Sequence, residues 1–325
     1  MERLSIGIMG CANIAQRSMI PAILNLPAYY ELKAVASRNE EKAKSFGALF
    51  NLDYVTGYEH LLERADIDAI YMPLPTGLHE EWIIRSLEAG KHVLVEKSLA
   101  VSYQSACKLA ALARQKGLVL IENFMFCYHV QHKWVKEQLA QNKIGETRLF
   151  RSQFGFPPLE NNNFRYNAQL GGGALLDAGA YTVKASQLFL GEDLELLNAV
   201  LYIDTARKVD IYGNATLISP TGIVAQLSFG FDNHYQCNYE FWGSKGRLMS
   251  EKAFTPRPRE HPLMMLEVQG VSEKIKMEAD DHFEGILKEF NRSVFTKQYE
   301  THINSLLAQS KILTDIQEKS VKIKL

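Results

Sequence analysis

The opening stretch constrains the fold more tightly than any other part of the chain. Leu4-Ser5-Ile6-Gly7-Ile8-Met9 is an apolar run of strand length. So short and uniformly apolar a run fits a strand buried on both faces, as in parallel sheets. Gly10-Cys11-Ala12-Asn13-Ile14-Ala15 follows at once, and a helical pattern then extends to about Leu26. Strand, glycine turn and helix in that order make a variant of the turn that seats a dinucleotide. Gly10 makes the tight turn, and Ala15 is small enough for the helix to lie on the strand. Cys11, Ala12, Asn13 and Ile14 then supply the backbone against a pyrophosphate at the helix N-terminus, where unpaired N–H groups point outward. Ala12 stands where a second glycine is usual, which moves the cofactor backbone slightly outward.

The pattern continues in βα steps. Leu32 to Ala36 is the second strand, and Ser37 and Arg38 follow it. A hydroxyl and a guanidinium suit a 2′-phosphate, and no carboxylate is there to repel one. NADP(H) is therefore expected in preference to NAD(H). The fourth strand, Asp68 to Met72, runs into Pro73-Leu74-Pro75-Thr76, a stiff turn at a strand's carboxyl end, where ligands of open α/β sheets lie. Leu74 and Pro75 are thus candidate cofactor contacts. His79 opens the next helix and either touches the cofactor or caps local backbone. The fifth strand, Lys91 to Val95, delivers Glu96-Lys97-Ser98 to the same edge. The sixth, Leu118 to Ile121, brings Glu122-Asn123 there.

At 325 residues the chain exceeds what one core usually serves, so two domains are expected, 1–122 and 123–325, with the terminal helix free to pack back on the first. A formal charge of −1 gives no reason to expect a nucleic-acid partner, so any phosphate site must be local. No apolar run reaches the roughly 18 residues of a membrane span. Met1-Glu2-Arg3 leads straight into the first strand with no long apolar core or small-residue cleavage site, so a secretory signal is not expected. Cys11, Cys107, Cys127 and Cys237 are scattered without paired spacing and read as reduced thiols of a cytoplasmic protein.

In the second half, Tyr128 to Gln141 reads as a linking helix. His129 and His132 are three apart, but with no third ligand apparent no metal is expected, and His129 is placed facing the substrate. Arg165, in the polar loop Asn161 to Arg165, steadies the nicotinamide end or a substrate phosphate, or else faces solvent. Gly171-Gly172-Gly173 lets backbone approach a ligand closely. The helix after it carries Asp177 and Tyr181, four apart and so stacked on one face, where the carboxylate can orient the phenol. Strand-like runs from Leu194 to Ser250 alternate apolar and polar residues, giving a large, mostly antiparallel sheet. One face is expected to pack on the Asp177 helix. The other, marked by Tyr235, Tyr239 and Phe241, needs cover from a second subunit, so a homodimer or homotetramer is expected. Two amphipathic helices close the chain, near His282 to Thr296 and Ile303 to Lys319.

The fingerprint turn, Glu96-Lys97 after the fifth strand, and the three glycines followed by Asp177-x-Gly179-x-Tyr181 together resemble the glucose–fructose oxidoreductase/inositol dehydrogenase/MocA family over nearly the whole chain. Gly10 to Ala15, Tyr71 to Pro75, Glu122 to Phe126 and Phe164-Arg165-Tyr166 are most similar to its nucleotide-sugar 3-ketoreductases. The resemblance implies an α/β chain: an N-terminal Rossmann domain with a doubly wound parallel sheet, then an α+β domain with a large, mostly antiparallel open sheet. It further implies hydride transfer between nicotinamide and a sugar carbonyl or alcohol. Tyr181 would then be the general acid and Lys97 a nearby positive charge, with Asp177 orienting Lys97 or the sugar hydroxyls. Glu96, Lys97, Asn123 and Arg165 fall on the cofactor side, and Lys97, Asn123, His129, Arg165, Asp177 and Tyr181 around a sugar or sugar-nucleotide substrate. Two departures stand out: Ser98 replaces the usual proline, leaving the backbone that presents Lys97 less fixed, and Tyr181 stands where many members have histidine. A free-sugar, polyol or trans-dihydrodiol dehydrogenase, or an NADP(H)-binding sensor, are the competing readings.

Overall fold

The structure is a computed structural model and describes residues 3–325. The chain divides into two compact units, one holding residues up to Asn123 together with Phe283–Leu307, the other Phe124–His282 and Ala308–Leu325.

The first unit contains a six-stranded parallel sheet in the order β3-β2-β1-β4-β5-β6. Its strands are β1 (Leu4–Met9), β2 (Tyr30–Ser37), β3 (Asp53–Thr56), β4 (Ala69–Met72), β5 (His92–Glu96) and β6 (Leu120–Asn123). The order reverses at β1, so the crevice beyond its carboxyl end is the place where such sheets take ligands. The helix after β1 is one continuous run, a π-helical turn over Ala15–Met19 and then α1 (Ile20–Leu24), with Pro21 in the first turn of α1. Helices α2 (Glu40–Phe50), α3 (Tyr58–Leu62), α4 (His79–Glu88) and α5 (Tyr103–Lys116) connect the strands. Ile70, Val93 and Leu120 from the sheet, Ile83 and Leu109 from the helices, and Ile303 and Leu306 share one buried core. The chain returns to this unit late: the Tyr30 hydroxyl donates to the Leu287 carbonyl, 2.6 Å, and the Asn291 amide to that of Tyr29, 3.0 Å.

In the second unit, α6 (Val130–Ala140) precedes β7 (Thr147–Gly155), and a π-helical turn over Leu175–Gly179 leads into α7 (Ala180–Leu190). The remaining strands are β8 (Glu195–Asp204), β9 (Val209–Ile218), β10 (Val224–Gly230), β11 (Gln236–Gly243), β12 (Gly246–Ser250), β13 (Leu263–Val268), β14 (Val271–Lys276) and β15 (Val321–Lys324). They form a nine-stranded mixed sheet in the order β14-β13-β12-β11-β7-β10-β9-β8-β15. Most pairs are antiparallel, but β7–β10 and β8–β15 are parallel. The hairpin β13–β14 and the strand β15 carry no signal strong enough to be read in advance. β14 and β15 are largely exposed edge strands with lysines, so alternation against a core is missing. Helices α8 (His282–Thr296) and α9 (Glu300–Lys319) end the helical part of the chain.

The expectation for the aromatic sheet face is corrected. Tyr239 and Phe241 are fully buried, because Phe189 of α7 packs on both with ring centroids 5.1 Å away. They belong to the face that α6 and α7 already cover, and Tyr235 precedes the strand. The opposite face of β11 carries Glu240 and Trp242, the latter 55% exposed. No helix among the described residues is long and apolar enough to cross a membrane.

Candidate active site

In the first unit the predicted residues collect at the carboxyl ends of the parallel strands. Gly10 ends β1 with φ +121° and donates its N–H to the Ala36 carbonyl, 2.9 Å. A Cβ there would press on Leu74, so the glycine lets the Pro73–Pro75 turn close over β1. Ser37 and Arg38 end β2. The Ser37 hydroxyl accepts from the Asn39 N–H, 3.2 Å, and also lies beside the Cys11 thiol. Burial raises the Cys11 pKa, against the pull of the Lys42 ammonium and the Ser37 hydroxyl. Burial likewise raises that of Tyr58, whose phenol is within reach of the Arg38 guanidinium.

Glu96 ends β5 under a network that the sequence did not announce. Its Oε1 accepts from the Tyr71 hydroxyl of β4 and from the Asn123 amide of β6, each at 2.6 Å. Burial raises its pKa despite both hydrogen bonds and the neighbouring Lys97. Asn123 is fully buried, and its Oδ1 makes no hydrogen bond. Three adjacent parallel strands thus lock Glu96 and leave half-buried Lys97 as the next residue along. The Lys97–Ser98 peptide is cis.

Of the two roles open to His79, cofactor contact or a tie to local backbone, the structure shows the tie. It is wholly buried, with Nδ1 2.8 Å from the Ser98 carbonyl and Nε2 2.8 Å from that of Leu74. Burial lowers its pKa, while the carbonyls of Leu74, Ser98 and Leu99 pull the other way. The ring therefore joins the loop after β4 to the loop after β5 and has no edge left for a ligand.

In the second unit the site residues meet on the helix after the glycines. Gly172 and Gly173 do not open space for a ligand. A Cβ on Gly172 would collide with the Arg165 and Asn167 carbonyls, and one on Gly173 with the Asp210 carboxylate. The bare backbone is packed against the protein's own chain: Gly173 donates to the Arg165 carbonyl, 2.9 Å, and Gly172 to that of Asn167, 3.0 Å. This fixes the Arg165 loop on the start of the helix.

Arg165 and Asp177 form an ion pair, Nε to Oδ2 2.7 Å. Burial alone would lower the Arg165 pKa; the charge and hydrogen bond of Asp177, with a contribution from Tyr181, outweigh it. Arg165 is thus one cation that Asp177 meets within its own unit. Residues 175–179, Asp177 among them, form a π turn that runs directly into α7, which carries Tyr181.

Tyr181 is 7% exposed and stands among Phe124, Phe126, Phe154 and Phe254, with ring centroids 5.0 to 5.7 Å away. Its hydroxyl reaches the Met125 sulfur at 4.0 Å, a weak acceptor. A phenol so enclosed keeps its ring orientation through packing, and its polar end lies in a dry setting where nearby charge acts strongly. The run Phe124-Met125-Phe126 was the available signal for this box; Phe154 and Phe254 are brought in only by the fold.

His129 is corrected as well. It is 1% exposed, its Nδ1 accepts from the Gln131 N–H, 3.2 Å, and so caps α6. His132 and, unforeseen, His282 join it at centroid distances of 6.4 and 5.9 Å, and His132 meets the Tyr239 hydroxyl at 2.9 Å. Burial lowers all three pKa values, that of His282 to about 3. These are core histidines, and among the described residues no group of three or more His, Cys, Asp or Glu is arranged to hold a metal.

A phosphorylated dinucleotide fits the donor set of the first unit. The Cys11–Ile14 turn enters a helix with no side chain capping it, the Gly10 cradle admits no Cβ, and the end of β2 offers Ser37 and Arg38 with no acid.

Comparison with known proteins agrees. Residues 4–124 match the Gfo/Idh/MocA oxidoreductase family with NAD-binding Rossmann fold, and residues 132–249 match the Gfo/Idh/MocA C-terminal domain. The dTDP-3,4-didehydro-2,6-dideoxy-α-D-glucose 3-reductase of Actinomadura kijaniata is 45% identical over 91% of this chain and 89% of its own. A 3-ketoreductase from the same organism, crystallised with NADP and TDP-benzene, superposes with a TM-score of 0.97 at 42% identity, covering 100% of both chains. That enzyme has also been solved with a tyrosine exchanged for phenylalanine (TM-score 0.97, 41% identity) and with a lysine exchanged for alanine (0.93, 40%), each covering 100% of both chains.

Proposed function

The chain belongs to the Gfo/Idh/MocA oxidoreductase family, and from that premise we propose that it is an NADPH-dependent ketoreductase acting on C3 of a nucleotide-linked keto-deoxysugar. One observation carries the reading. Lys97 and Tyr181 lie as far apart along this chain as the lysine and the tyrosine exchanged in the crystallised variants of the Actinomadura enzyme.

When bound, NADPH supplies the hydride. As the carbonyl π bond breaks and a C–H bond forms, the oxygen gains negative charge. Tyr181 gives its phenolic proton to that oxygen, and water later restores it. The Lys97 ammonium stabilises the charge on the same oxygen. Glu96, held by Tyr71 and Asn123, fixes the backbone from which Lys97 departs. Arg165, neutralised by Asp177, steadies the sugar-nucleotide beside Tyr181. Ser37 and Arg38 select the 2′-phosphate of the cofactor. Arg257 and Arg259, exposed on the loop before β13, remain available to a diphosphate.

We place the enzyme in the cytoplasm, where its cofactor and nucleotide-sugars are found, and assign the exposed face of the nine-stranded sheet to self-association. That face offers Trp242 beneath the Arg151 guanidinium, 5.9 Å, and stacked Tyr202 and Tyr212, 4.2 Å apart. NADPH consumption against a panel of dTDP-linked keto-sugars, free keto-sugars and diketones tests the substrate class. Turnover confined to the nucleotide-linked sugars is expected. Equal or better turnover of free sugars would overturn it, and tight NADPH binding without turnover of any carbonyl would favour a sensor.

A further inference from the structure

The helix that carries Asp177 and Tyr181 begins without a local cap, since Ala174 has no side-chain acceptor to offer its first turn. The acceptor comes instead from β9. The Asp210 carboxylate takes the Leu175 N–H at 2.6 Å and also faces the Ala174 N–H. It occupies the place where a Cβ of residue 173 would stand, and Gly173 has φ +119°, a conformation suited to glycine. An anion at that helix end satisfies orphan donors and lies along the favourable direction of the helix dipole. Even a partly buried carboxylate is costly unless hydrogen-bonded, and desolvation raises the pKa of Asp210 to about 6 against these backbone hydrogen bonds.

We propose that Asp210 is a positioning residue for the reaction, locking from β9 the first turn of the helix that presents Asp177 and Tyr181, so that the phenol is held at one place. Asp210 acts through that helix and has no contact of its own with the reacting atoms. The inference rests on the reading of Tyr181 as proton donor. Without the lock, the π turn over 175–179 is free to rewind as α-helix, which rotates Tyr181 against its aromatic box.

The test uses the full-length enzyme. In Asp210→Ala, kcat is expected to fall about 10- to 100-fold while NADPH affinity and KM stay within about twofold, as befits an interaction realised only in the transition state. Asp210→Asn keeps a carbonyl oxygen for the Leu175 N–H and is expected within about threefold of the parent. In a Tyr181→Phe background Asp210→Ala is expected to cost nothing further, whereas a general structural defect would still add its loss. Amide exchange separates this inference from the functional reading, because Ala174 and Leu175 should lose protection in Asp210→Ala whatever the substrate. Unchanged exchange overturns the lock, and altered exchange with unchanged kcat overturns its role in the reaction. Should the alanine variant not fold, a folded Asp210→Asn enzyme with less than a tenth of the parental kcat overturns the proposal.

Discussion

The two sets of candidate residues, one in each unit, are built in opposite ways. In the first unit, Gly10, Ser37, Arg38, Glu96, Lys97 and Asn123 sit at or just past the ends of parallel strands, so each is adjacent in sequence to the element that positions it. In the second, Tyr181 is placed by Phe154 and Phe254, Arg165 by Asp177 and by glycines downstream of it, and the helix start by Asp210. The first half is a polar shelf held by neighbouring strands. The second is a drier chamber held by side chains distant in sequence. Substitutions in the first should therefore disturb cofactor handling, and those in the second proton transfer or the integrity of the unit.

The largest expected effect lies in the second half. Tyr181→Phe should lower kcat by about 10²–10⁴, the usual worth of a positioned general acid, with NADPH affinity unchanged. A parallel loss of NADPH binding, measured by fluorescence titration, would break the division between the halves. Next comes acid stability. His129, His132 and His282 are neutral when folded, with pKa values held below the ordinary value by burial. The unfolded chain binds more protons, so stability is complete above about pH 6.5 and falls as pH drops toward 3, by about 1.4 kcal/mol per pH unit for each titrating histidine. Urea midpoints from pH 7 to 4 read this slope, and His282→Asn should flatten it; an unchanged slope removes that histidine from the effect.

A smaller change is expected from Arg165→Leu, which leaves Asp177 without its guanidinium. About 2 kcal/mol is expected, less than a fully buried pair would lose, because the Arg165 side chain is 30% exposed. Denaturant unfolding measures it, and an unchanged midpoint would show the pair to be idle in stability. The smallest sharpens the first half: Arg38→Ala should raise KM for NADPH about tenfold while leaving that for NADH nearly unchanged, since only the 2′-phosphate loses a charge-assisted partner. Equal effects on both cofactors would take Arg38 away from the phosphate.

The same contrast explains what could be read in advance. Strand ends and their residues were legible because apolar runs, glycine and proline mark them locally, as at Met9-Gly10 and Met72-Pro73. His129 was misplaced, and His79 left between two roles, because a lone histidine looks the same in sequence whether it faces a ligand or ties backbone carbonyls and caps a helix. The three glycines were seen, but their reason was not: the atoms that exclude a Cβ at Gly173 belong to Asp210, a strand away. Tyr239 and Phe241 showed the correct alternation, yet only α7, through Phe189, decides which face is inside.

The most direct test of the central proposal, that the ammonium of the residue just past β5 and a phenol from α7 serve one carbonyl oxygen, is a double-variant cycle on kcat with a dTDP-linked keto-sugar. Lys97→Ala, Tyr181→Phe and the combined variant are compared with the parent. Groups acting on a single developing charge are expected to be strongly non-additive, leaving the double variant about as slow as the slower single one. Losses that multiply fully would mean that the two residues work independently, and the mechanism given above would be wrong.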